Sequence, residues 1–292
     1  MERAICASTW IEENERAFVP PVANKLMYRN QLSVMFVGGP NSRTDFHVDE
    51  SSEFFFQMRG SMNLVTIQGG QRKVVPIKEG EVYLLPSRIP HSPQRPETGS
   101  VGLVIERKRE ENEFDCMRWF KDFDTCNDVQ FEQFFICNDL AVDLVPVANA
   151  YKEFVNDGAT FNRSADLPIL DDLRSQVPAP FSLSAWCEAH TDQFAAGATI
   201  ALFGNEHPDK EFSVLISSEC DFAIRESNYE IFIYQISGEA TIVQDNSREE
   251  QVLHTSACFV IAPDASYRVT SRVGKSLTLI LYCNPLGNKI RQ

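Results

Sequence analysis

The chain has five histidines, and two of them sit where a metal could be held. His47 opens the stretch His47-Val48-Asp49-Glu50-Ser51-Ser52-Glu53, which runs into Phe54-Phe55-Phe56. His91 follows the turn Leu84-Leu85-Pro86-Ser87-Arg88-Ile89-Pro90. Two imidazoles and one carboxylate, from His47, Glu53 and His91 on neighbouring strands of a small barrel, form a facial triad. Such a set leaves one side of a metal open, as O₂ chemistry at non-haem Fe(II) requires, whereas sulfur-rich sets select zinc or clusters. Taken singly, each histidine reads as a core or surface residue. As a pair, joined by Glu53 and flanked by Gly60 and Pro86, they read as ligands. His190, His207 and His254 have no such setting and read as structural or solvated.

Two arginines stand in register with these ligands. Arg43 precedes His47 by four residues and Arg95 follows His91 by four, so an extended chain aims each pair at one face. A guanidinium is a flat fork that matches a carboxylate. Glu106 has the chemistry to accept a proton. On spacing alone, solvated side chains are the plainer reading of all three. Arg107-Lys108-Arg109-Glu110-Glu111 reads as a solvated charge run. The eight cysteines are widely spread with no C-x-x-C pair, which leaves a zinc ribbon or thioredoxin site unsupported and makes core-filling thiols the expectation.

The elements that must position these residues are mostly strands. Thr9-x-x-Glu12 matches a capping box opening a short helix. Residues 32–37, 53–57, 62–67, 73–77, 81–85 and 101–105 are short and apolar or β-rich, with Gly and Pro between them. Gln68-Gly69-Gly70-Gln71 is a hairpin signal. Such a series suggests a sandwich or small barrel. Residues 129–137 are aromatic-rich, 140–155 have helical spacing, and 182–190 form a capped helix. A second β-rich stretch, about 200–283, echoes the first: Phe55-Phe56-Gln57-Met58-Arg59-Gly60 lies on Ile233-Tyr234-Gln235-Ile236-Ser237-Gly238, and Val82-Tyr83-Leu84-Leu85 on Cys258-Phe259-Val260-Ile261. This implies two copies of one barrel. The expected division is 1–155, a linker 156–180, and 181–292. In the overlay His47, Glu53 and His91 fall on or near Arg225, Ile231 and Tyr267, so the second barrel is expected to be metal-free.

Further stretches resemble the 3-hydroxyanthranilate 3,4-dioxygenase family of the cupin superfamily, in its two-barrel animal-type form. They are Pro20-Pro21-Val22-Ala23-Asn24-Lys25-Leu26-Met27, Val34-Met35-Phe36-Val37-Gly38-Gly39-Pro40-Asn41-Ser42-Arg43, Pro90-His91-Ser92-Pro93-Gln94-Arg95-Pro96 and Val101-Gly102-Leu103-Val104-Ile105-Glu106-Arg107. The resemblance is strong over about 1–140 and continues more weakly to the C-terminus. It implies a mainly β fold of two cupin (double-stranded β-helix, or jelly-roll) barrels with a few helices. It implies that His47, Glu53 and His91 bind Fe(2+), that Arg43 is catalytic and lies at the dioxygen site, and that Arg95, Glu106 and Glu53 hold the substrate, with Glu106 also catalytic. The reaction it implies joins 3-hydroxyanthranilate to O₂. The resulting muconate semialdehyde closes to quinolinate, a precursor of NAD on the kynurenine pathway. Two other readings stay open: another metallo-cupin oxygenase or isomerase, which would not need Arg43, Arg95 and Glu106 together, and a non-catalytic cupin binding protein, which would have degenerate ligands in both barrels.

Bulk properties narrow the partners. At 292 residues, 43% hydrophobic, the chain can build real cores. A formal net charge of −14 argues against nucleic acid and against an anionic membrane surface. Met1-Glu2-Arg3-Ala4 leads into no signal-like apolar run, and no stretch has transmembrane length, so a cytoplasmic protein is expected. Phe54-Phe55-Phe56 and Ile231-Phe232-Ile233 are apolar on both faces. With both barrels on one chain, an intramolecular pairing and hence a monomer is expected.

Overall fold

The structure is a computed structural model that describes residues 3–18, 23–225, 227–245, 250–271 and 276–284. Residues 1, 2 and 20–22, named above for the amino terminus and for the resemblance, lie outside the described residues. Two compact units are present, Ala17–Ser182 and a second made of Met1–Arg16 with Leu183–Gln292.

In the first unit, period-two alternation builds two six-stranded antiparallel sheets. One runs in the order Phe181–Ser182, Glu81–Leu85, Glu53–Arg59, Val101–Arg107, Leu32–Gly38, Asn24–Arg29. The other runs Val129–Phe135, Asp115–Phe120, Asp45–Asp49, His91–Gln94, Met62–Gln68, Gln71–Ile77. Met35, Phe55, Tyr83, Leu85 and Val104 of the first sheet meet Met62, Leu64, Val75 and Ile77 of the second in one buried cluster, so the sheets close on a shared interior as a jelly roll does. The hairpin at Gly69-Gly70 forms as the sequence suggests, with φ of 59° and 72° at the two glycines, values that suit residues without a side chain.

Both faces of the strand Asp115–Phe120 are covered. Met117 and Trp119 pack with Val147 and the partly buried Leu144 and Tyr151 of the helix Leu140–Asn156, and Trp119 stacks on Tyr151 at 4.2 Å. Residues 144, 147 and 151 share one helix face. On the opposite face Cys116 packs with Val48 and Ile169, and Arg118 reaches Glu132 and Asp171 at 2.7 Å each. Arg163 also bonds Glu132, at 2.6 Å. The stretch 156–180, expected as a linker, therefore carries Ile169 and Asp171 onto the outer face of this unit.

The second unit repeats the plan. One sheet runs Ile5–Cys6, Ala257–Ile261, Ile231–Ser237, Leu277–Cys283, Phe212–Ser217, Thr199–Ala201, and the other Asp221–Ile224, Tyr267–Ser271, Glu239–Gln244, Glu250–His254. Ile231, Ile233, Phe259, Tyr267, Val269 and Ile280 share its core. The suggested overlay is met strand for strand: Glu53–Arg59 and Ile231–Ser237 hold the same place in their sheets, as do Glu81–Leu85 and Ala257–Ile261. The capping box is not formed. The first helix spans Ala7–Glu13 and starts after Cys6, with no side-chain cap. Thr9 therefore lies inside the helix, because the strand Ile5–Cys6, paired to Ala257–Cys258, sets where the turn begins. No helix among the described residues is long and apolar enough to cross a membrane.

Arg118 is a buried cation shared by two carboxylates. Arg118→Ala should cost about 3 kcal/mol, the low end for breaking a buried ion pair, because Glu132 keeps only the partly exposed Arg163 and Asp171 loses both bonds from Arg118. A urea-unfolding midpoint equal to wild type would contradict this, and protease cleavage within 156–180 should quicken in the variant.

Candidate metal centre

Alternation along Asp45–Asp49 divides its side chains between two environments. Phe46 and Val48 enter apolar clusters. Asp45, His47 and Asp49 point the other way and are buried. His47 pairs across the ladder with His91, and the two rings lie 5.5 Å apart. Glu53 begins the strand of the opposite sheet that pairs with Glu106. The result is a buried group, His47, Asp49, Glu53 and His91, whose ligand atoms all lie within 4.8 Å of one another. Among the described residues it is the one such group.

Each imidazole is held through the nitrogen that the group does not need. His91 Nδ1–H donates to the Ile89 carbonyl at 3.0 Å, leaving Nε2 at 3.2 Å from Glu53 Oε1. His47 Nε2–H donates to Asp115 Oδ2 at 2.7 Å, leaving Nδ1 at 3.4 Å from Asp49 Oδ2. An imidazole oriented by a carbonyl or carboxylate on its far nitrogen is the usual arrangement at metal centres. Asp49 Oδ2 is buried with no hydrogen bond. An orphaned carboxylate oxygen beside two imidazoles and Glu53 is a place that a divalent cation fits.

Electrostatics set the protonation. Burial works against the charged form of His47, but Asp115 on its Nε2, with Asp49 nearby, outweighs this and raises it to about 9. Burial opposes ionisation of Glu53, yet facing His91 holds it down at about 2. Burial lifts Asp49 to about 7 and also lifts Glu106.

One residue missed from sequence holds these acids together. Arg109 was expected in a solvated run, but its side chain is 6% exposed. It donates to Asp115 Oδ1 and Oδ2 at 2.8 and 2.9 Å and to Glu106 Oε2 at 2.8 Å, and lies 3.4 Å from Asp49 Oδ2. Arg107 is buried as well, bonded to Glu113 at 2.8 Å. Only Lys108, Glu110 and Glu111 of that run behave as solvated or half-solvated charges. A charge run has no period that marks which members turn inward. Asp115 follows Arg109 by six residues and gave no sequence signal either.

The remaining sequence candidates line one cavity with the cluster. Its wall includes Arg43, His47, Glu53, His91, Arg95 and Glu106, with apolar Met35, Val37, Phe55, Val104 and Leu144. A neighbouring cleft shares Asn24, Met35 and Glu106 with it and is also lined by Arg29, Lys108, Arg109 and Cys137. Arg43 is half-buried and bonds Asp45 Oδ2 through Nε at 2.9 Å. Arg95 is 1% exposed. Its Nη1 donates to Gln57 Oε1 at 2.8 Å and Ser100 Oγ at 3.3 Å, and its Nε is buried with no partner. No carboxylate is paired with it among the described residues, and burial alone pulls it down to about 10. His190 stacks on Trp186 at 4.1 Å, buried His207 accepts from the Asp209 N–H, and exposed His254 lies 3.1 Å from Glu239. None of the three joins the cluster. In the second unit Arg225 is exposed, while Ile231 and Tyr267 are buried in the apolar core.

Asp115→Asn should weaken divalent-metal binding roughly 10–100-fold while the fold persists, because the amide no longer fixes the His47 tautomer with a charge. His47→Ala or His91→Ala should remove the metal altogether. Metal analysis after dialysis checks both, and more than one equivalent per chain would count against a single centre.

Comparison with known proteins agrees with this layout. The family model described as 3-hydroxyanthranilic acid dioxygenase matches residues 1–154. The 3-hydroxyanthranilate 3,4-dioxygenase of Rattus norvegicus is 36% identical over 272 residues, 92% of this chain and 90% of that one. That of Homo sapiens is 37% identical, covering 85% and 86%, and that of Nematostella vectensis 37%, covering 96% and 99%. Among solved structures, a salicylate 1,2-dioxygenase from Pseudaminobacter salicylatoxidans superposes with a TM-score of 0.56 at 13% identity over 98% of this chain and 84% of that one, a likeness of fold. The matching family model, the full-length relatives and the first unit's buried histidine–carboxylate cluster converge: the chain belongs to the 3-hydroxyanthranilic acid dioxygenase family.

Proposed function

We propose that the chain cleaves the ring of 3-hydroxyanthranilate with O₂, giving 2-amino-3-carboxymuconate semialdehyde, which closes to quinolinate on the route to NAD. One observation carries the reading beyond family membership: Arg95, a buried guanidinium with an unpartnered Nε, lines the same cavity as the His47, Glu53 and His91 cluster. A buried cation without an acid is costly unless an anionic ligand completes it. The substrate's carboxylate is that anion. An isomerase or a binding cupin acting on an uncharged ligand would have no use for it.

His47, Glu53 and His91 would hold Fe(2+), the ion that suits two imidazoles and a carboxylate with one side open. When bound, it supplies Lewis acidity and a path for electrons between ring and O₂. The protein's own residues do the rest. Arg95 takes the carboxylate in a two-pronged bond and fixes the rotation of the ring. Glu106, pushed up by burial, is suited to take the hydroxyl or amine proton. Glu53 stands across the ladder from Glu106 and faces the same ligand. Arg43, anchored by Asp45, lies at the O₂ side and is catalytic there. Met35, Val37, Phe55 and Val104 exclude water and hold ring and O₂ together, a gain of proximity and orientation.

None of the eight cysteines is in a disulfide, which favours a reducing compartment, the cytoplasm. The chain acts as a monomer, since both barrels are already on it. Sedimentation should give about its formula mass of 33.0 kDa, and a stable dimer would contradict this.

Protein loaded anaerobically with Fe(II) should take up O₂ on addition of 3-hydroxyanthranilate, with the absorbance of the semialdehyde rising and then decaying. No uptake from protein carrying one iron per chain would refute the assignment. Arg95→Ala should weaken substrate binding by about thirtyfold or more, the loss of a desolvated charge pair of roughly 2–5 kcal/mol, while iron content holds. Arg95→Lys should recover only part, because a point charge lacks the fork.

A further inference from the structure

The seat of the Arg95 guanidinium depends on a residue with no side chain. Gly102 lies in the strand Val101–Arg107 opposite Gln57, beside a bulge at Val101/Gly102. It does not adopt a positive φ, so backbone conformation does not call for glycine there. Space does. A Cβ on Gly102 would stand 2.6 Å from Arg95 Nη2 and 2.8 Å from Gln57 Oε1.

The second unit carries the same framework with another filling. Gln57 Nε2 donates to the Arg59 carbonyl at 2.8 Å and to Ser100 Oγ at 3.0 Å. Gln235 Nε2 donates to the Ser237 carbonyl and to Ser276 Oγ, both at 2.7 Å. Thr278 stands opposite Gln235 beside the matching bulge, in the place of Gly102. Where Gln57 Oε1 accepts from Arg95 Nη1 at 2.8 Å, Gln235 Oε1 accepts from Thr278 Oγ1 at 3.0 Å. Arg95 lies four residues after His91, and the residue four after Tyr267 is Ser271. One framework thus holds a glycine and an arginine in the first unit and a threonine in the second.

We infer that Gly102 is a positioning residue that gives the cavity its preference for a carboxylate-bearing ring: its missing side chain is the room in which the Arg95 guanidinium lies. The inference rests on the dioxygenase reading for the identity of the ring. Any side chain at 102 displaces the guanidinium or Gln57. Both atoms that must yield are ends of flexible side chains, so the strand survives while the anion seat is lost.

The test uses Fe(II)-loaded protein without O₂, titrated calorimetrically with 3-hydroxyanthranilate and with 2-aminophenol, the same ring without its carboxylate. Gly102→Thr should lose roughly thirtyfold or more in affinity for 3-hydroxyanthranilate, with 2-aminophenol affinity, iron content and melting temperature near wild type. Gly102→Ala should move the same way by less, and it carries the test should the threonine variant fold poorly. In an Arg95→Ala background, Gly102→Ala should cost nothing further, since the two act through one group. Equal losses for both ligands, or additive losses in the double variant, would overturn the role given to Gly102. A wild type that binds 2-aminophenol as tightly as 3-hydroxyanthranilate would instead overturn the dioxygenase reading on which it rests.

Discussion

A charge taken out of water has to meet its opposite or go unsatisfied. In the first unit Asp45, Asp49, Glu53, Glu106 and Asp115 are all buried. Arg109 spans three of them, His91 faces Glu53, His47 rests on Asp115, and Arg43 takes Asp45. Among the described residues, two buried polar atoms, one on an acid and one on a base, are left without a hydrogen bond. One is the carboxylate oxygen of Asp49 within the histidine cluster, and the other is Nε of the Arg95 guanidinium. The first suits a cation and the second an anion, and both line or adjoin one cavity. A metal ion at the first and the carboxylate of an aromatic acid at the second would satisfy both, in line with the substrate proposed above.

The barrel supplies the geometry that lets so many charges be buried together. Strands pair so that Glu53 and Glu106 lie directly opposite each other. Like charges in that position repel, so the arrangement stands only because His91 and Arg109 sit against them. In the second unit the same two places hold Ile231 and Tyr282, which need no counter-charge and close as ordinary core. The units thus share the strand order of one sheet and differ in what fills these two places. Retaining Gln235 and Ser276 beside Thr278 preserves the framework without the cation.

Much of this was legible in the sequence. Alternating apolar strands broken by Gly and Pro determined a mainly β chain, and the echo of residues 55–60 in 233–238 indicated two copies of one barrel, because pattern and turn chemistry are local properties. His47, Glu53 and His91 could be picked out because histidines are few and their flanking turns are distinctive. Other features were decided only in three dimensions. Arg109 and Asp115 became the supports of the cluster, and Asp49 joined it, through contacts between residues distant along the chain or hidden in a charge run, where no period separates a buried arginine from a solvated one. The first helix starts at Ala7 and not at a cap near Thr9, because a strand pairing formed with Ala257–Cys258 precedes it. The stretch 156–180 reads as a linker by composition, yet Ile169 and Asp171 are drawn onto a sheet by Cys116 and Arg118. Composition and periodicity report what a segment prefers by itself. Which charge meets which, and which glycine leaves room for a guanidinium, depends on neighbours that only the folded chain brings together.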